Sequence, residues 1–133
     1  IICMDAMEHI CPEDWPVILN RFCEALKPGG MLYLTVDAEK VDEDRQAYER
    51  ARVMGLPVVF GEIVDELDEA FNEAMALDAL DLNTIPYDRL DHTVYHYHPS
   101  VEQVHTWFAQ TGLVIEEEGM EEEYLHLLAR KSL

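Results

Sequence analysis

A chain of 133 residues with 28 acidic against 9 basic side chains, a formal charge of -19, is sized for one domain and is repelled by phosphate backbones and anionic lipid surfaces. Nucleic acid and membrane are therefore not expected as partners, and no apolar run reaches the roughly 18 residues of a membrane-spanning helix. Cys3, Cys11 and Cys23 are odd in number and show no C-x-x-C spacing; they read as reduced, partly buried thiols of a cytoplasmic protein.

Residues 1–4, IICM, form a short apolar run that suits a buried parallel strand, and the following DAMEH turns polar where that strand would end. Pro12 is placed for the first turn of a helix, with Glu13 and Asp14 near its positive end. Trp15, Ile18, Leu19, Phe22 and Leu26 then recur at helical spacing, which predicts a helix over 12–26 with one buried face. Pro28 pushes Lys27 out of helical geometry, and Gly29 and Gly30 allow a sharp reversal. Residues 31–36, MLYLTV, are then expected as a strand covered on both faces. Strand, helix, turn and strand in this order make a right-handed parallel crossover, whose ligands bind outside the carboxyl ends of the strands. Asp5 to His9 and the residues after Val36 lie on that edge.

Residues 37–91 change character, with 16 acidic and 5 basic side chains. One helix is expected over 42–54, with Ala47, Tyr48 and Ala51 on one side. A second is expected over 62–80, with Ile63, Leu67, Ala70, Phe71, Ala74 and Leu77 on a stripe. The segment is too long and too patterned for a plain loop and reads as an insertion, lid or dimer element. Its charge fits a solvated helix face.

Residues 92–98, HTVYHYH, alternate and are expected to be extended. Ser100 and Gln103 form a capping box opening a helix whose apolar face is Val101, Val104, Trp107 and Phe108, and Gly112 is expected to close it in the left-handed conformation. A strand over 113–117, an acidic turn over 118–123 around Gly119 and a strand over 124–130 make a closing hairpin. Trp15, Trp107 and Phe108 are expected in the core, and His126 as a packing residue. His92, His96 and His98 with Glu102 contain metal-type ligands, but their spacing alone does not define a metal site.

The pieces IICMDAMEHI, LKPGGMLYLTV and YHYHPSVEQVHTWFAQTGLVIEEEG with YLHLLARK, in that order, resemble the C-terminal half of a class I S-adenosylmethionine-dependent methyltransferase. The resemblance implies an α/β fold with a partial doubly wound sheet. Of the family order 3-2-1-4-5-7-6, this chain supplies 4-5-7-6, with 37–91 as an acidic helical insertion or lid in a single domain, 1–133. It also implies S-adenosylmethionine as cofactor, with Asp5, Ala6 and Met7 in the loop that lines its methionine part. His9 then stands as the candidate base, and Tyr95, Tyr97 and His98 as a substrate wall. The family's glycine-rich cofactor loop is not matched, since no G-x-G occurs among the six glycines. The chain therefore reads as part of a larger methyltransferase, inactive alone, acting on a small molecule or a protein side chain. A homo-oligomer is expected to cover the first strand, by another copy or by the acidic helices. The alternative is a non-catalytic dimerisation or interaction module derived from the same fold.

Overall fold

A computed structural model describes residues 1–53, 55, 57–64 and 95–133. The reversal after the first helix frames it. Helix α1 (Trp15–Ala25) stops at Leu26, whose backbone is already extended, and Gly29 takes the left-handed φ of 76° that a side chain would resist. A Cβ on Gly30 would meet the Lys27 carbonyl at 2.8 Å. The turn is tied to the chain's other end: the Gly29 N–H donates to the Lys131 carbonyl (3.0 Å), the Lys131 N–H to the Gly30 carbonyl (2.8 Å), and Lys131 Nζ to the Leu26 carbonyl (2.8 Å). Helix α1 begins later than Pro12 suggests, because residues 11–14 close a turn through the Asp14 N–H and the Cys11 carbonyl; Pro16 holds the first-turn position instead.

Strand β1 (Ile2–Cys3) runs parallel to β2 (Met31–Asp37), Ile2 beside Tyr33 and Cys3 beside Leu34. Taking the other strands as β3 (Glu62–Val64), β4 (Tyr95–Tyr97), β5 (Leu113–Glu121) and β6 (Tyr124–Lys131), the main sheet has the order β1-β2-β6-β5. Both pairings that follow β2 in this order are antiparallel. This is the 4-5-7-6 arrangement expected from the resemblance.

Alternation along the strands builds the core. Leu32, Leu34 and Val36 register with Ala129, Leu127 and Leu125. All six are buried, in one cluster with Trp15 and Leu19 of α1 and with Val104, Trp107 and Phe108 of α3 (Val101–Ala109). Trp15 and Trp107 stack at 4.9 Å, joining the two helices over the sheet. The opposite face of β2 is covered less completely than its apolar run implies: Tyr33 is half-buried, its hydroxyl 2.5 Å from His126 Nδ1, while Thr35 is buried. The outer edge of β1 is bare among the described residues, with Ile2 76% exposed.

Three further expectations need correction. Gly112 does not adopt a left-handed backbone; α3 ends through Gln110, and Gly112 serves close approach instead, since a Cβ there would lie 3.2 Å from Cys23 Sγ of α1. Ser100 does cap α3, accepting from the Gln103 N–H (3.1 Å), but the Gln103 side chain accepts from the Tyr97 hydroxyl (2.6 Å) rather than completing a box, and Val101 is exposed. Strand β5 continues through Gly119 to Glu121, leaving only Glu122 and Glu123 to turn. The acidic run is the solvent-facing edge of a sheet, where charge discourages further pairing.

The inserted segment opens with α2 (Val41–Val53), close to expectation. Glu62 and Ile63 lie on β3, antiparallel to β4, rather than at the start of a helix. Their β-branched setting, VVFGEIV, accounts for this. The rest of the expected second helix, and His92, lie outside the described residues.

Glu122 and Glu123 carry φ of 50° and 73° in a two-residue hairpin that favours Asn-Gly. Glu122→Asn with Glu123→Gly should therefore raise unfolding stability by about 1 kcal/mol, read from urea denaturation. A lower midpoint would refute the strain.

Candidate functional site

Because β1 and β2 are parallel, their carboxyl ends emerge side by side. Asp5 leaves β1 with a φ of 50°, its N–H donating to Thr35 Oγ1 at 3.1 Å and its side chain exposed beside the exposed Ala6. Met7 to His9 follow as a short 3-10 turn. Met7 belongs to the core at 2% exposure, backbone included, so the loop presents Asp5 and Ala6 instead. Glu8 is also buried, with Oε2 lacking a hydrogen-bond partner among the described residues.

His9 is oriented by the strand across from it. Its Nδ1 lies 3.3 Å from the Tyr95 carbonyl, which can only accept, so Nδ1 carries a proton. Half of the side chain is exposed, and Nε2 is 3.9 Å from Glu8 Oε1.

At the end of β2, His98 is buried between two carboxylates. Its Nδ1 donates to Asp44 Oδ1 at 2.9 Å, and its Nε2 lies 3.1 Å from Asp37 Oδ2, close but poorly aligned for a hydrogen bond. Asp44 sits in the first turn of α2, and its other oxygen accepts from the Lys40 N–H at 2.8 Å. Lys40 Nζ in turn reaches Asp37 (3.4 Å) and Glu123 of the hairpin (3.2 Å). Burial opposes charge on His98, but Asp37 and Asp44 outweigh it and raise its affinity for the proton. Burial likewise opposes the Asp37 carboxylate, and His98 and Lys40 overcome it, holding its pKa below the usual value. One imidazole ring thus joins β2, α2 and the end of β4.

The strand carrying these groups splits them by alternation. The Tyr95 hydroxyl donates to Glu62 Oε1 (2.9 Å), and burial with that carboxylate raises its pKa. Tyr97 is buried, bonded to Gln103. Of the expected wall, only His98 lines the adjacent cavity of about 430 Å³, together with Asp37, Lys40, Asp44, Arg50 and His96. His96 was not singled out for substrate contact from the sequence, although the strand period places it on the same side as His98. Its ring lies 5.0 Å from His9 and 6.1 Å from His98 between centroids. Among the described residues, no three His, Cys, Asp or Glu side chains converge to hold a metal, and no helix is long and apolar enough to cross a membrane.

The His98 bridge makes stability depend on pH with a defined sign. Since folding raises the His98 pKa, its contribution is full below the unfolded value near 6.5 and is lost as pH rises through the folded one. The Asp37 contribution is full above 3.8 and is lost as pH falls through its lowered value. His98→Gln should cost about 3 kcal/mol near pH 6, since it removes the bridging charge between two buried carboxylates. The difference from wild type in denaturant titrations should shrink as pH rises beyond 6.5. A pH-independent difference would contradict the bridge. Asp44→Ala should destabilise by a similar amount, about 3 kcal/mol.

A methyltransferase-domain family model matches residues 1–118. No curated protein matches the sequence. Among solved structures, an S-adenosylmethionine-dependent methyltransferase from Methanosarcina mazei is similar over 99% of this chain and 58% of its own, at TM-score 0.63 and 15% identity. TnmH (TM-score 0.54, 12% identity) and LaPhzM (0.51, 14%) are each matched over 98% of this chain and 30% and 29% of theirs. The chain thus spans well under two thirds of each of these proteins. With the family model covering most of the sequence and the strand order agreeing, the chain belongs to the methyltransferase-domain family and has the fold of a class I S-adenosylmethionine-dependent methyltransferase.

Proposed function

We propose that this chain is the C-terminal part of an S-adenosylmethionine-dependent methyltransferase, supplying the loop at the methionine end of the cofactor, a substrate wall and a lid, and that it does not methylate alone. The observation that carries this reading is a cavity of about 430 Å³ at the end of β2, beside the Asp5–His9 loop, whose His9 ring packs on the cavity-lining His96. A space of that size suits a small-molecule acceptor better than a protein segment.

The residues present fit one end of the cofactor. The exposed Asp5 carboxylate, on a backbone already turned by its positive φ, can accept from an ammonium group; the exposed Ala6 lies beside it, with Met7 packed behind them in the core. The sequence offers no G-x-G for the adenosine end. When bound, the cofactor supplies a sulfonium methyl group; its transfer leaves the electron pair of the methyl–sulfur bond on sulfur. The chain's own residues align the acceptor and exclude water. His9 takes a proton through Nε2, its tautomer set by the Tyr95 carbonyl. α2 forms the lid, anchored by His98. Tyr95 and Tyr97 support the wall from behind through Glu62 and Gln103. Three unpaired thiols agree with a reducing, cytoplasmic setting.

The open edge of β1 favours a second reading, a module that associates through that strand with another copy of itself. Calorimetry on the full-length protein separates the two. Saturable S-adenosylmethionine binding is expected, weakened roughly tenfold or more by Asp5→Ala through loss of a charge-assisted hydrogen bond. Absence of binding, with a dimer in light scattering that Ile2→Lys dissociates, would favour the module.

A further inference from the structure

We propose that α2 is a pH-sensitive gate over the candidate site, docked while the His98 ring carries a proton on each nitrogen and released when it loses one. This names a regulation of that site, and it rests on the methyltransferase reading for the claim that the cavity beside α2 receives the acceptor.

The three helices are held to the body in different ways. α1 buries Trp15 and Leu19, and α3 buries Val104, Trp107 and Phe108. α2 is mostly charged and buries Asp44 and Ala51. A methyl group supplies little apolar area, so the side chain that seats α2 is a carboxylate, fully buried, with the His98 ring across the interface. The contact of Tyr48 with Phe60, edge-on at 5.8 Å, lies toward the surface, where Phe60 is exposed. An element with few buried apolar contacts opens at lower cost than the whole fold. The chain also has a joint at each end of α2. It is fixed up to Glu39, whose N–H donates to the Pro99 carbonyl, and Gly55 takes a left-handed φ of 74° beyond the helix.

The ring's proton decides whether the seat holds. Protonated on both nitrogens, His98 donates to Asp44 through Nδ1 and faces Asp37 through Nε2. A neutral ring has one N–H, so one of the two buried carboxylates then meets a lone pair. Whichever nitrogen keeps its hydrogen, the contact between β2 and α2 is weakened. The other charges nearby are Lys40 Nζ, itself 3.2 Å from Glu123 of the hairpin, the His96 ring of β4 at 6.1 Å, and Glu43 and Arg50 of α2 on the same cavity. Glu8 and His9 of the loop act in turn on His96. Burial, the largest single effect, opposes charge on His98, but Asp37 and Asp44 together outweigh it and raise its proton affinity. Docking is therefore full below 6.5 and is lost as pH rises through the raised value. At the acid end it is lost as pH falls through the lowered value of Asp37.

The test is hydrogen–deuterium exchange of the full-length protein, read by mass spectrometry from about pH 5.5 to about pH 9, each rate divided by the chemical rate at that pH. Protection of residues 41–53 should fall by up to about tenfold per pH unit above 6.5 until the docked ring has titrated, while α1 and α3 keep theirs. His98→Gln should leave 41–53 poorly protected at every pH, and the milder Asp44→Asn should flatten the pH dependence. Protection of 41–53 that is constant with pH in the unaltered protein, or that is lost in step with α1 and α3, would overturn the gate. So would a pH dependence that survives Asp44→Asn undiminished. Calorimetric binding of S-adenosylmethionine is measured on the same samples near pH 6. Its absence would refute the methyltransferase reading and leave the exchange result standing, whereas binding together with constant protection refutes the gate alone.

Discussion

A single buried histidine, His98 between Asp37 and Asp44, holds the candidate site in shape. The last residue of β2, the first turn of α2 and the tail of β4 meet at this triad, with the Lys40 contacts around it and a backbone hydrogen bond from the Glu39 N–H to the Pro99 carbonyl (3.0 Å) beside it. A buried bridge of this kind adds little net stability compared with a well-packed apolar core, but removing one member leaves the remaining buried charges under-compensated. Its effect is therefore positional. It sets α2 over the cavity and points the alternate residue, His96, into the same space.

The sheet explains why that space lies where it does. The parallel pairing of β1 with β2 brings two carboxyl ends together, and the antiparallel β6 places the start of the closing hairpin beside them, with Tyr124 opposite Asp37. Among the described residues, the non-glycine positions with left-handed backbone are Asp5, Glu122 and Glu123, all at this edge. Such conformations persist where surrounding contacts enforce them. Here the Thr35 hydroxyl holds Asp5 and Lys40 holds Glu123. Strain and buried charge are concentrated at one end of the molecule, while the helix-covered face of the sheet is dry and apolar.

Much of the frame was legible in the sequence because its signals are local. Pro28 with two glycines marks a reversal wherever it occurs, Trp15 and Trp107 declare a buried stripe by spacing, and Ser100 announces a helix start. The order of the strands came from resemblance, and the Ile2–Tyr33 register agrees with it. What could not be read depends on pairing across the chain. Glu62 and Ile63 look helical until β4 claims them. Gly112 looks like a cap until Cys23 approaches it, and the acidic run after Glu117 looks like a turn until β6 extends it. The site was legible to the level of its loops. Asp5 and His9 were found by position at a strand end, but the partners of His98 lie on two other elements, and Tyr95 and Tyr97 spend their hydroxyls on Glu62 and Gln103. His96 was visible as a histidine on an alternating strand, yet only the cavity gives it a reason.

The charge state of His98 is the most direct measure of this organisation. Ring ¹⁵N chemical shifts at pH 7 should show both nitrogens protonated, as an imidazolium flanked by two carboxylates requires. A neutral ring in one tautomer at that pH would contradict the bridge, and with it the placement of α2 over the cavity.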